Sequence, residues 1–185
     1  VDPSEFNSID NFVSKKLKRI DYIFNTHHHF DHVGGNNQLK KKYSSKIIGS
    51  KIDSQRIPGI DILLKDGDKF EFGSINFEIL FVPGHTSGHI AFYSKNEKII
   101  FTGDTLFSMG CGKIFEGTSS QMFNSINKIK KLPKKTKIFC GHEYTKKNLD
   151  FCMKYESENK FKLKKSSWVM NKIIKGLPTI PIELE

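Results

Sequence analysis

Residues 26–32 read Thr-His-His-His-Phe-Asp-His and place four candidate metal ligands, His27, His29, Asp31 and His32, within six positions. On an extended segment an i, i+2 pair can aim two imidazoles at one point, and imidazole and carboxylate are ligands of borderline and hard divalent ions. Asp31 and His32 then fall where the chain has turned and can reach a second point. A surface histidine tract that binds metals adventitiously is the bland alternative. It fits poorly, because the run follows an apolar segment and closes on Val33-Gly34-Gly35, a turn signal and not low-complexity sequence.

The rest of the chain repeats this arrangement of a strand followed by a metal-capable side chain. Asp2, Pro3 and Glu5 fit N-cap, N1 and N3 of a first helix with Ile9, Phe12, Val13 and Leu17 on its apolar face. Ile20 to Phe24 reads as a buried strand that delivers the histidine run at its C-terminal end, where α/β folds place their chemistry. A short helix is expected near Asn36 to Lys42 and a strand at Lys46 to Gly49. Leu63 to Val82 reads as a meander with turns at Asp66-Gly67-Asp68 and Gly73-Ser74, and it ends on Pro83-Gly84-His85. A hairpin of Ile90 to Tyr93 and Lys98 to Thr102 delivers Gly103-Asp104. After a helix over Ser120 to Leu132, stopped by Pro133, the strand Thr136 to Cys140 runs into Gly141-His142. Two lysine-rich helices, Lys146 to Tyr155 and Phe161 to Ile174, precede a Pro-containing tail.

Strand ends thus present His27, His29, Asp31, His32, His85, Asp104 and His142. Seven ligands are too many for one tetrahedral structural ion and suit two ions sharing a bridge, for which the two oxygens of Asp104 are the natural choice. Singly, His85 or His142 would be a hydrogen-bonded loop histidine and Asp104 a turn residue. Together with the dense first run they point to metal.

Charge and cysteine content narrow the classes further. Lys and Arg total 30 against 20 Asp and Glu, a net charge of +10 that favours anionic partners. The basic runs at Lys40 to Lys42, Lys128 to Lys137 and Lys160 to Lys165 lie beside apolar periodicities, with little aromatic interleaving. They therefore read as solvated helix faces in preference to a nucleic-acid surface. No apolar run approaches 18 residues, so no spanning helix or membrane partner is expected. The three cysteines, Cys111, Cys140 and Cys152, form no C-x-x-C and no disulfide framework, which suits a reducing, cytoplasmic setting, an organellar form being the variant of it.

The segments THHHFDHVGGN at 26–36, PGHTSGHI at 83–90 and FTGDTLF at 101–107 resemble the metallo-β-lactamase superfamily. CGKIFEGT at 111–118 and CGHEYT at 140–145 narrow the resemblance to the glyoxalase II, or hydroxyacylglutathione hydrolase, branch. The resemblance implies an α/β (α+β) fold, a four-layer αββα sandwich followed by a helical C-terminal region. Residues 1–144 would be the catalytic domain without its first strands, and 145–185 a truncated helical region, so the 185 residues are expected to come from a longer protein. It further implies that His27, His29 and His85 hold one divalent ion and Asp31, His32 and His142 a second, with Asp104 bridging. His28 and His89 are left as non-ligands. Zinc is the first expectation for the ions, with iron and manganese equally compatible with His and Asp.

The same resemblance assigns Lys113 and Tyr144 to a glutathione moiety. Phe115 stands where relatives often carry Tyr, which would remove one hydroxyl contact. The implied reaction is hydrolysis of an S-(2-hydroxyacyl)glutathione such as S-D-lactoylglutathione, a step in methylglyoxal detoxification. Water activated between the ions, with Asp31 and Asp104 beside it, would be the nucleophile. The thiol leaving group, of pKa about 8.5, needs no strong general acid. The expected partner is this small-molecule thioester, acted on by a monomer. Competing readings are another superfamily activity (phosphodiesterase or RNase, persulfide dioxygenase, lactonase) or a non-catalytic metal- or nucleic-acid-binding protein.

Overall fold

A computed structural model describes residues 1–155 and 160–184. Residues 156–159 and 185, within the expected helical region 145–185, lie outside the described ones. Two sheets pack face to face. The smaller holds three parallel strands in the order β1 (Tyr22–Phe24), β2 (Lys46–Ser50) and β3 (Ile62–Leu64). The larger is built on the antiparallel succession β4 (Lys69–Phe72), β5 (Ile75–Phe81), β6 (Ile90–Ser94) and β7 (Ile99–Gly103). A two-stranded ribbon, β8 (Leu106–Phe107) with β9 (Gly110–Cys111), follows. The larger sheet is completed by β10 (Lys137–Cys140), parallel to β7, and by β11 (Ile182–Glu183), antiparallel to β10.

Period-two alternation explains why the sheets must be sandwiched. Phe77 and Ile79 of β5 and Ile90 and Phe92 of β6 face Phe24, Ile48 and Leu64 of the smaller sheet, closing the inner core. The alternate residues Leu80, Ala91, Tyr93, Ile100 and Ile138 pack outward with Ile129 of helix α4 (Ser119–Lys130). On the far side, Ile23 and Ile47 meet Leu39, Val33 and Ile9 from the helices α1 (Asn7–Lys16), α2 (Phe30–Val33) and α3 (Asn36–Tyr43). Helices on both outer faces of two sheets make the αββα order. The remaining helices, α5 (Thr145–Tyr155) and α6 (Lys160–Ile174), follow β10. Asn148 Nδ2 of α5 donates to the Ser108 carbonyl at 2.9 Å, tying that helix to the ribbon.

Four details differ from the sequence reading. The first helix starts at Asn7, not near Asp2. Asp2 has φ 51° and its carboxylate is taken by Thr26, so Glu5 supplies the carboxylate at the helix start, accepting from the Ser8 N–H at 3.2 Å. Phe12 and Leu17 stand exposed, because only Val13 and its neighbours along the helix face the core. Leu63 does not belong to the meander: β3 pairs in parallel with β2, and the turn at 65–68 carries the chain across to the other sheet. The Pro-containing tail ends in β11, whose pairing with Lys137 and Ile138 extends the larger sheet. The smaller sheet covers only part of the larger one. Beyond it Val1, Asp2, Phe101, Phe139 and Cys140 line a cleft of ≈ 380 Å³.

Candidate metal centre

All the strand ends named from the sequence open at one edge of the sandwich. β1 is parallel to β2, and the loop that leaves it carries His27 and His29 before α2 presents the buried His32 and the exposed Asp31. β5, β7 and β10 end at the same edge and supply His85, Asp104 and His142.

The seven side chains fall into two groups around one carboxylate. His27, His29 and His85 each bring a ring nitrogen within 4.8 Å of the others, with His29 Nδ1 and His85 Nε2 3.0 Å apart. Asp31, His32 and His142 form the second set: His142 Nε2 lies 3.3 Å from Asp31 Oδ2 and 3.3 Å from His32 Nε2. Between them, Asp104 places Oδ1 3.4 Å from His32 Nε2 and Oδ2 3.6 Å from His85 Nε2 and 3.3 Å from His142 Nε2.

Hydrogen bonding behind the ligands fixes which nitrogens are free to bind. Asp2 accepts from the Thr26 N–H and the Thr26 hydroxyl, both at 2.8 Å, and lies 3.1 Å from His32 Nδ1. His32 therefore carries its proton on Nδ1 and turns the Nε2 lone pair toward Asp104 and Asp31. The Thr26 hydroxyl has spent its one proton on Asp2, so at 3.0 Å it accepts from His27 Nδ1, leaving His27 Nε2 bare. His85 Nδ1 likewise donates to the Lys113 carbonyl at 2.7 Å. Three buried imidazoles thus present lone pairs toward one carboxylate. His27 Nε2 and Asp104 Oδ1 have no hydrogen-bond partner, although both are buried. Orphaned acceptors of this kind are costly unless a cation meets them.

Electrostatics give the same picture. Burial, with neighbouring imidazoles adding to it, holds His27 far below the ordinary histidine range. Burial brings His85 down to about 4 and pushes the Asp104 carboxyl up to about 6. For His32 burial acts downward too, but the Asp2, Asp104 and Asp31 carboxylates together outweigh it and the net shift is upward. The neutral imidazoles of His27, His29 and His85, and carboxylates that draw His32 toward positive charge, form a donor set suited to divalent cations.

The other sequence candidates take distinct places. His89 is not turned into either group: its Nε2 accepts from the Asp104 N–H at 3.1 Å and its ring stacks on His27. His28 points the other way, toward Asp53. Phe115 is exposed and packs edge-on against His29 and His85, with Lys113 Nζ 5.0 Å above its ring. Tyr144 stacks on His142 at 4.9 Å. These three form an open rim on both sides of the metal groups. Asp2, which the sequence reading used as a helix cap, was missed as an orienting residue. Its contacts lie 24 and 30 residues away, beyond any local pattern.

The metallo-beta-lactamase superfamily model matches residues 1–142. A hydroxyacylglutathione hydrolase of Pelagibacter ubique (strain HTCC1062) is 54% identical over 181 residues, covering 98% of this chain and 76% of that protein. The corresponding enzyme of Methylococcus capsulatus is 45% identical over 159 residues, covering 86% of this chain and 62% of that protein. The chain therefore spans about three quarters of the first relative's length and about three fifths of the second's. Among solved structures, TTHA1623 in a di-iron-bound form superposes with a TM-score of 0.66 at 27% identity, covering 76% of this chain and 79% of that one. With this fold and this edge of convergent ligands, the chain belongs to the metallo-beta-lactamase superfamily and, within it, to the hydroxyacylglutathione hydrolase family.

Proposed function

We propose that the protein hydrolyses S-(2-hydroxyacyl)glutathione thioesters, of which S-D-lactoylglutathione is the type, to glutathione and a 2-hydroxy acid. The single observation that carries this reading is the Asp104 carboxylate set between two three-residue groups, with the Lys113, Phe115 and Tyr144 rim above them. The relatives' shared name supplies the substrate class.

His27, His29 and His85 would hold one divalent ion and Asp31, His32 and His142 the other, with Asp104 reaching both. Zinc leads on ligand type, and iron and manganese remain compatible, iron being the metal bound in the TTHA1623 structure. Such ions supply a lowered water pKa and polarisation of the thioester carbonyl. The chain's own side chains do the rest. Asp31 and Asp104 accept hydrogen bonds from the attacking water and align it. Lys113 draws in a carboxylate of the glutathione moiety, while Phe115 and the Tyr144 ring wall its path. Departure as a thiolate of intrinsic pKa about 8.5 removes the need for a placed acid.

Residues 1–144 act as the catalytic unit in this reading, and the helices Thr145–Tyr155 and Lys160–Ile174 belong to the region that follows it. One chain is the active unit, its small-molecule substrate the sole obligatory partner. Among the described residues no helix is long and apolar enough to cross a membrane. A cytoplasmic setting is supported by the small number and scattered placement of Cys111, Cys140 and Cys152, which form no C-x-x-C.

The experiment is cleavage of S-D-lactoylglutathione, followed by loss of thioester absorbance, before and after chelation and with Asp104→Ala. Chelation should abolish activity. Asp104→Ala should lower kcat/KM by about 10²-fold or more, since a shared ligand serves both groups. Turnover that survives both treatments would overturn the reading.

A further inference from the structure

Beside the metal groups, a second set of charged side chains joins four loops. Arg56, in the segment after β2, donates from Nη2 to Asp53 Oδ1 at 2.5 Å and to Ser87 Oγ at 3.0 Å, and from Nη1 to Glu116 Oε1 at 2.6 Å. Glu116 Oε2 accepts from both the Ser87 N–H and the Ser87 hydroxyl at 2.8 Å. Asp53 is fully buried, and its second oxygen meets His28 Nδ1 at 3.2 Å, while His28 Nε2 lies 3.4 Å from Glu116. The loops so connected carry His27 and His29, His85, and Lys113 and Phe115.

Glu116 sits inside the segment that forms the rim. On either side of it, the Phe115 N–H donates to the His85 carbonyl at 3.2 Å and the Gly117 N–H to the Gly84 carbonyl at 3.1 Å. Lys113 offers its own carbonyl to His85 Nδ1. Backbone bonds of this length on an exposed loop are individually weak, and Glu116 is the side chain that anchors the segment between them. Burial alone would push the Glu116 carboxyl up, but Arg56 and Ser87 bring it down to about 2, as expected of a carboxylate with every lone pair engaged.

We propose that Arg56 and Glu116 form a clamp that holds the 112–118 loop over the metal groups, making both of them positioning residues for Lys113 and Phe115. The link to substrate rests on the thioesterase reading above, whereas the link to loop order does not. The side chains of Arg56 and Glu116 are 36% and 27% exposed and belong to none of the three apolar cores. A pair so placed adds little to global stability but can decide the geometry of one loop.

The test combines amide hydrogen exchange at Phe115 and Gly117, metal content, and steady-state kinetics with S-D-lactoylglutathione. Glu116→Ala and Arg56→Gln should each speed exchange at these two amides and raise KM by about tenfold, with kcat within about twofold and metal content unchanged. The double variant should add little to either single one, because both remove the same contact. Arg56→Gln leaves Asp53 buried without its cation; Glu116→Ala does not and carries the test if the former fails to fold. Unchanged exchange at Phe115 and Gly117 in Glu116→Ala would overturn the clamp. So would a fall in kcat that tracks metal loss at constant KM. If the unsubstituted protein does not cleave the thioester, the functional reading falls, and the exchange data alone decide the clamp.

Discussion

Three imidazoles of the candidate centre owe their tautomers to residues outside the two groups. Asp2 accepts hydrogen bonds from Thr26 and His32, Thr26 in turn accepts one from His27, and the Lys113 carbonyl accepts one from His85. The facing residues were legible because strand ends deliver them in short motifs, and His27, His29, Asp31 and His32 are dense enough to recognise unaided. Asp2 was not legible, because a carboxylate beside a proline reads the same whether it caps a helix or reaches across the sheet. Asp2→Ala removes the acceptor shared by His32 and Thr26, and frees the His32 imidazole directly and that of His27 through Thr26 to adopt the wrong tautomer. It should weaken metal affinity by about 10–100-fold, the usual cost of losing a residue that orients a ligand. Titration against a competing chelator measures this, and an unchanged affinity would show that His32 is held without it.

At the scale of elements, turn signals with β-prone residues between them marked β5, β6 and β7, and the helical period marked α4, whose Thr118–Gln121 capping box fixes its start. What the sequence could not convey was sheet membership. The strand Ile62–Leu64 looks like its neighbours in the meander, and only its parallel pairing with Ile48–Ser50 of β2 assigns it to the smaller sheet. β11 was equally hidden, since two residues after a proline gain strand character only from Lys137 and Ile138. The joints between elements can be tested at two places. Gly84 links β5 to His85 at φ 147°, and a Cβ there would lie 2.8 Å from Met122 Cα in α4. Gly84→Ala should therefore cost about 1–3 kcal/mol in urea unfolding and lower kcat/KM through His85; a stability within error of the parent would contradict this. Asp61 ties α3 to β2, accepting from Lys40 Nζ at 2.6 Å and the Ile47 N–H at 2.8 Å. The Lys40 bond, with that of Ile47, holds its carboxyl below the ordinary 3.8. Its contribution is accordingly present above pH ~4 and lost as the pH falls through the lower folded value. The stability gap between the parent and Asp61→Asn should be about 0.5–1 kcal/mol at pH 7 and close as the pH falls below about 4 and through the lower folded value. A gap that is constant across that window would remove the carboxylate from the account.

For the molecule as a whole, the net charge of +10 was fully legible, but its use was not, because composition does not say where lysines stand. In the structure several of them are spoken for: Lys40 and Lys42 pair with Asp61 and Asp10, Lys128 with Asp66, and Lys146 with Asp150. The excess remains, however, and Lys113 and Lys147 stand beside the rim rings of Phe115 and Tyr144. The proposed glutathione thioester is anionic, so a long-range field of this sign should raise its rate of encounter while leaving the bound geometry alone. Screening separates the two effects, since the Debye length shrinks from about 30 Å at 0.01 M salt to about 8 Å at 0.15 M. Over that range kcat/KM should fall by about two- to tenfold with kcat unchanged, because salt acts on capture and not on the metal-held chemistry. Steady-state assays with sodium chloride as the only variable would measure it. A flat kcat/KM would mean that the charge serves only to keep the lysine-rich faces solvated. A parallel fall in kcat would instead place the salt effect inside the site, on Asp31, Asp104 or the ions between them.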